Sequence, residues 1–342
     1  VAVGITRSHR RSDFRQIVRL PGGGAGERVE ITNQVDWHTR GHLLKARFAL
    51  SPSNPQAIFD LGLGTIQRGN RHREKYEVPA QQWVALPARS GPGGASILSD
   101  CKYGWDKPDD QTLRLSLLRS PRVIRKFRHQ GSQDHGSHRF GYGISGHGDG
   151  WQPARTAWQA QRFNQPPMAF LTSSHDGPLG RSLSLIDIDS DQVALQCLKR
   201  AEFGDRWIAR LRELSGQRAD SVAIRLAQPI EDAERVNGME DTLGPARVQD
   251  GQLVEDFGPF GLRSVGFETG PTAEDVVCEA RSRPVDLPFD RAATRPRGQP
   301  DTRGFDGNGH SIPAELWPTL LHPGGVELEL ESAGPGVPNA LT

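Results

Sequence analysis

Cysteine is scarce in this chain: three among 342 residues, at Cys101, Cys197 and Cys278. Three widely spaced thiols build neither a disulfide framework nor a four-thiolate zinc site. Long apolar runs are missing as well. None approaches the roughly 18 residues that a membrane-spanning helix needs, and no signal-peptide pattern opens the sequence. With no disulfide framework and no signal, a cytoplasmic setting is favoured and no membrane partner is expected. The familiar catalytic loops are absent too. No phosphate-binding loop or dinucleotide fingerprint appears, and Gly143-Ile144-Ser145-Gly146-His147 lacks the second glycine of a nucleophile elbow.

What is plentiful is glycine (39) and proline (25), beside a hydrophobic share of 35%. That share, with the glycines, is enough to build real cores, and the richness in turn formers favours many short strands over long helices. A net charge of +1 hides an asymmetry. Residues 1–150 hold 23 Lys and Arg against 13 Asp and Glu, whereas the remainder hold 19 against 28. In the basic part, charges alternate with apolar residues, as in Arg114-Leu115-Ser116-Leu117, which describes a solvated sheet face. No aromatic RNA-binding signature or helix-turn-helix pattern accompanies it, so nucleic acid is not expected as a partner. Arginine outnumbers lysine 36 to 6, which a GC-rich genome accounts for.

Period-two alternation runs through the chain. Leu113, Leu115 and Leu117 point one way and Arg114 and Ser116 the other; Phe140, Tyr142 and Ile144 repeat the pattern. These six apolar residues should be buried in two strands. The best helix candidate spans Pro153 to Phe163, with proline at an N1-like position and Pro166-Pro167 closing it. A second strand set then runs from Leu183 to Phe267, with turns every 8–12 residues, as a small antiparallel sandwich requires. The polar stretch from Glu268 to Pro284 reads as a linker. The start at Val1, almost inside a strand-like segment, suggests a piece of a longer protein.

Candidate chemistry is sparse. His129, Asp134, His135, His138, His147 and Asp149 fall close enough in sequence to suggest a transition-metal site, but loop histidines at a surface account for them better. Asp187-x-Asp189-x-Asp191 begins like a calcium loop, yet Gln192 stands where glycine is needed and Leu198 where glutamate is needed. One loop is distinctive in composition: Asp100, Cys101, Lys102, Tyr103, Gly104, Trp105 and Asp106. Aromatic faces beside carboxylates and amines suit sugar recognition, because C–H groups stack while hydroxyls are hydrogen-bonded. A hairpin loop held by its own side chains fits the composition equally well.

The same loop carries a family resemblance. Val35-Asp36-Trp37-His38, Leu43-Leu44-Lys45, Tyr76-Glu77-Val78-Pro79-Ala80-Gln81-Gln82-Trp83 and Asp100-Cys101-Lys102-Tyr103-Gly104-Trp105-Asp106 resemble the C-terminal half of a glycoside hydrolase family 38 α-mannosidase. So do Leu113 to Pro121 and the spacing of Asp134, Gly136, His138 and Phe140. The resemblance covers about residues 12–270; the stretch Val123 to Arg128 departs from it in being basic. The segment from Phe305 to Leu316 resembles an accessory β-sandwich module of some bacterial members.

The resemblance implies an all-β fold: a large β-supersandwich, truncated at its start, over residues 1–165, then a smaller antiparallel β-sandwich over 180–268. A linker at 269–284 and an incomplete third β module over 285–342 complete it. It implies a retaining enzyme acting on an α-mannoside or oligosaccharide substrate. The zinc ion and aspartate nucleophile of that enzyme belong to an N-terminal catalytic barrel ahead of the matched region. No catalytic or zinc-ligating residue is therefore assigned in this chain, which is expected to bind no metal and to be inactive alone, needing the barrel in cis. The expected substrate-pocket loop consists of Asp100, Lys102, Tyr103, Trp105 and Asp106, with Tyr103 and Trp105 forming an accessible aromatic patch. A free-standing carbohydrate-binding β-sandwich protein is the alternative.

Overall fold

A computed structural model describes residues 1–22, 27–168 and 184–270, apart from the side chain of His129, and beyond them only the backbone of strands between 278 and 341. The architecture is all-β. Among the described residues the one α-helix has nine residues.

Twelve strands build the first sandwich: β1 (Ala2–His9), β2 (Ser12–Arg19), β3 (Val29–Trp37), β4 (His42–Ala49), β5 (Ala57–Asp60), β6 (Thr65–Arg68), β7 (Val78–Pro79), β8 (Trp83–Pro87), β9 (Gly94–Ser99), β10 (Gly104–Asp109), β11 (Thr112–Ser120) and β12 (Gly136–His147). Eight of them form one sheet in the order β1-β2-β3-β12-β9-β8-β5-β6, and the other four form the facing sheet β4-β11-β10-β7. Every pairing within both sheets is antiparallel.

The alternation explains why. In β3, Ile31, Val35 and Trp37 turn inward with Asn33, while Thr32, Gln34 and Asp36 face out. Asn33 is buried but satisfied: its amide donates to the Phe140 carbonyl (3.3 Å) and its oxygen accepts from Gln16 (2.7 Å). Leu113, Leu115, Leu117, Phe140 and Tyr142 are buried and Ile144 packs against them, as their spacing predicts. Leu117 and Leu118 both point into the core because the β4–β11 register shifts at Ser116–Leu118, the local consequence of a bulge.

The outer face of the eight-stranded sheet is covered in part by α1 (Thr156–Asn164). Trp83, Ala85 and Leu98 meet Trp151, Ala160 and Phe163 there, with the Trp83 and Trp151 rings 4.9 Å apart. The helix begins three residues later than its sequence signals predict. Arg155 adopts a left-handed conformation (φ 53°), which no helix continues through, so Pro153 lies in the preceding turn.

The second sandwich comprises β13 (Ile186–Ile188), β14 (Val193–Arg200), β15 (Trp207–Glu213), β16 (Ala219–Leu226), β17 (Ile230–Val236), β18 (Thr242–Pro245), β19 (Arg247–Gln249), β20 (Gln252–Phe257) and β21 (Leu262–Thr269). Its sheets are β13-β16-β20-β19 and β14-β15-β21-β17-β18. Between them lie Val193, Leu211, Ile224, Leu253, Phe257, Val265 and Phe267. Both sandwiches belong to one compact unit. Trp158 donates to the Asp191 carbonyl (2.5 Å), Arg155 pairs with the Asp191 carboxylate, and Phe260 from the second sandwich joins the Trp83–Trp151 cluster of the first.

The C-terminal strands belong to a second unit. Here β22 (Cys278–Pro284), β25 (Val326–Ser332) and β26 (Ala340–Leu341) pair, as do β23 (Gly304–Phe305) and β24 (Ser311–Ile312). The segment read as a linker therefore contains a strand. It pairs antiparallel with β25, from position 278 opposite 332 to position 284 opposite 326. The rest of the stretch expected as a third module lies outside the described residues.

Candidate functional site

The loop linking β9 to β10 crosses from one sheet of the first sandwich to the other. Ser99 anchors it: its hydroxyl donates to the Lys102 carbonyl (2.9 Å) and accepts from the Lys102 N–H (3.2 Å). Asp100 extends the pairing with β12. Its carboxylate accepts from the Gly141 N–H (2.6 Å), while its second oxygen is buried without a hydrogen-bond partner. A Cβ at Gly141 would stand 3.2 Å from the Phe163 ring and 3.3 Å from the Asp100 carboxylate, so both would have to give way by a few tenths of an ångström. Partial desolvation and the adjacent Asp100 push the thiol of the exposed Cys101 up to about 11, which keeps it protonated at neutral pH.

Beyond Asp100, the loop presents two side chains. Lys102 places its ammonium 5.1 Å over the Phe140 ring, and Tyr103 is 53% exposed. Trp105 is different. It lies within β10, not in the loop, and is fully buried against Leu113, Leu115 and Phe48. The expected accessible patch of two rings is thus corrected to Tyr103 alone, because strand alternation turns position 105 into the sandwich.

Asp106 follows on the opposite face, yet its carboxylate has no exposure either. Lys45 (2.5 Å) and Arg114 (2.6 Å) cover it from β4 and β11. Lys45 also reaches Glu77 (3.0 Å), which accepts from the Ser116 hydroxyl, and stands 5.4 Å over the Tyr76 ring. Lys45, Glu77, Asp106 and Arg114 come from four separate segments, so the cluster is invisible to spacing. The signal that could have found it is that all four fall in or beside the motifs carrying the resemblance.

The histidines do not converge. His135 stacks edge-on against His38 (5.7 Å), His138 bonds the Asp134 carbonyl (2.8 Å), and His147 is buried against Gly94 with neither nitrogen paired. The side chain of His129 lies outside the described residues. The three aspartates of the calcium-like run also diverge: Asp187 pairs with Arg225, Asp189 accepts from the Ala223 N–H (2.8 Å), and Asp191 pairs with Arg155. Among the described residues no three His, Cys, Asp or Glu side chains meet as a metal centre would need. Nor is any helix among the described residues long and apolar enough to cross a membrane.

Comparison with known proteins gives this arrangement a context. The profile of the glycosyl hydrolases family 38 C-terminal domain matches residues 1–123, and that of the family 38 C-terminal beta sandwich domain matches residues 192–265. The chain belongs to glycosyl hydrolase family 38. Its two profile matches follow one another in the first and second sandwiches of this family 38 chain. Alpha-mannosidase 2C1 of Mus musculus is 29% identical over 247 residues, covering 69% of this chain and 23% of that protein. The Homo sapiens alpha-mannosidase 2C1 is 28% identical over the same length, and the alpha-mannosidase of Saccharomyces cerevisiae 27% over 230 residues, or 65% of this chain and 20% of that one. The chain thus spans less than a quarter of the length of these relatives. Two Enterococcus faecalis structures share the fold: a family 38 glycosyl hydrolase (TM-score 0.62, 19% identity, 75% of this chain and 30% of that one) and an alpha-mannosidase (TM-score 0.61, 19% identity, 75% and 29%).

Proposed function

We propose that this chain is the non-catalytic C-terminal part of a retaining α-mannosidase, whose catalytic barrel stands in the same polypeptide and supplies the nucleophile and the zinc. The observation that carries the reading is the succession of both family 38 C-terminal domains, one in each sandwich. The names of the relatives matched across them supply the substrate class. In this reading the β9–β10 loop lines the sugar pocket. Asp100 holds the loop to β12, and Lys102 and Tyr103 face the substrate. Trp105 and Asp106 leave the pocket set because the core holds one and Lys45 and Arg114 cover the other.

The test of the first part is an aryl α-mannoside assay of the purified 342-residue chain, with and without zinc. No turnover above a buffer control is expected, because retaining hydrolysis needs a nucleophile and an acid/base carboxylate roughly 5–5.5 Å apart across the scissile bond. The polypeptide extended by its upstream reading frame should turn over. Zinc-dependent hydrolysis by the short chain would overturn the division of labour.

The loop is tested in that longer protein. Tyr103→Ala should lower kcat/KM by about 1–3 kcal/mol, the worth of one good pocket contact. Stability should change by less than about 0.5 kcal/mol, since the ring is exposed. An unaltered kcat/KM removes the loop from the site.

A further inference from the structure

A hollow of about 700 Å³ opens beside the edge strand β6, walled by residues 66–72, Lys75, Tyr76 and Val78 and floored by Phe59 and Lys107. Its distinguishing feature is a group of cations that form no ion pair with the lining. Lys107 is 1% exposed, a rare state for a lysine. Its ammonium donates to the Asn70 side-chain oxygen (2.6 Å) and the Asp109 carbonyl (2.7 Å), which leaves its third N–H without an acceptor. Arg68 lies 5.0 Å over the Phe59 ring and donates to the Pro79 carbonyl; Arg71 lies 4.6 Å over the Tyr76 ring. Lys75 and His72 stand at the exposed rim.

None of Arg68, Arg71, Lys75 and Lys107 forms an ion pair among the described residues. The single carboxylate in the lining, Asp106, is already held by Lys45 and Arg114. Asp109 and Asp110 lie near Lys107 and partly offset its charge, but the first accepts from the Gln111 N–H (2.9 Å) and the second from Asn70 (2.6 Å). Burial lowers the proton affinity of both Lys107 and Arg68, and Asp110 and Asp109 only partly offset it at Lys107. Four converging cations, two of them planar guanidiniums suited to bidentate contacts, select a compact multiply charged oxyanion over a neutral ligand.

We propose that this hollow binds a phosphate group through Lys107, Arg68, Arg71 and Lys75, with the Tyr76 ring flanking whatever carries it. The shared chemistry is the phosphate; free phosphate and an organic phosphate monoester are its two sources.

Isothermal titration calorimetry of the full chain at low ionic strength, with inorganic phosphate and a hexose 6-phosphate as probes, decides the matter. Saturable binding with a Kd of about 1 mM or lower is expected for at least one probe. Tighter binding of the hexose phosphate assigns the site to an organic monoester; equal affinities assign it to the free ion. The double variant Arg71→Ala/Lys75→Ala, which changes rim and half-buried positions and should retain its Tm, should weaken binding about tenfold or more. Arg125→Ala/Arg128→Ala removes the same charge from an exposed stretch elsewhere and should leave the Kd within about twofold, since distant exposed charges are screened. Absence of saturable binding of either probe, an unaffected Arg71/Lys75 variant, or equal weakening by both pairs overturns the proposal.

Discussion

Trp105→Ala is expected to destabilise the first sandwich by about 3–5 kcal/mol, the usual cost of removing a fully buried large aromatic. The indole has no exposure and packs with Leu113, Leu115 and Phe48 between the two sheets. Two neighbouring strands hold it in place: position 105 pairs with Val78 of β7 and Leu115 of β11. At about 2–4 °C per kcal/mol for a unit of this size, the melting temperature should fall by roughly 6–20 °C. Trp105→Phe sharpens the test. The Trp105 N–H is buried without a partner, so phenylalanine loses some volume but also removes an unsatisfied donor, and its cost should stay below about 2 kcal/mol. In the proposed full-length enzyme, kcat/KM per folded molecule should be unchanged for both variants. A folded Trp105→Ala protein with normal stability and impaired substrate use would return this residue to the pocket.

That contrast with Tyr103 shows where the sequence was legible. Leu113, Leu115 and Leu117, or Phe140, Tyr142 and Ile144, alternate with small or polar residues, and one face is visibly apolar. In Gly104-Trp105-Asp106-Lys107-Pro108-Asp109 no such face shows, because Trp105 and Lys107 share the inward side and Asp106 the outward one, and all three are buried. The partners that make burial of the charges tolerable are Lys45, Arg114 and Asn70. Lys45 and Asn70 lie 61 and 37 residues away from the charges they satisfy. Local composition therefore reads as an exposed loop, although only its first part is one.

The same physics limited other readings. The helix was legible from the prolines that bound it, but its first residue was set by the left-handed Arg155, which no propensity announces. The division into two sandwiches followed from turn spacing, whereas their union in one compact unit depends on Phe260, Trp158 and Asp191, which meet only in three dimensions. The cation hollow was equally hidden. Nothing in the order of residues 66–78 shows that Lys107 lies beneath them.

Glu213→Ala should loosen the second sandwich and its attachment to the first by about 3–5 kcal/mol, the range for breaking a fully buried charged network. The Glu213 carboxylate has no exposure and ends β15. It accepts from the Ser215 N–H (2.6 Å) and hydroxyl through one oxygen, and from the Gly216 (2.7 Å) and Phe260 (2.8 Å) N–H groups through the other. One side chain thereby locks the β15–β16 and β20–β21 turns together. Both turns need help: Gly216 and Phe260 have positive φ (73° and 54°), and a Cβ on Gly216 would stand 2.6 Å from the Phe260 ring. Alanine leaves three part-buried backbone N–H groups without their acceptor, each costing up to about 1–3 kcal/mol before relaxation. Glu213→Gln keeps the shape and one acceptor but turns an amide NH2 toward existing donors, so an intermediate loss of about 1–3 kcal/mol is expected. Because Phe260 packs into the Trp83–Trp151 cluster, amide exchange should quicken at 213–216 and 258–261 and also along β8. Exchange confined to the second sandwich would show that Glu213 shapes its own turn without holding the two sandwiches together.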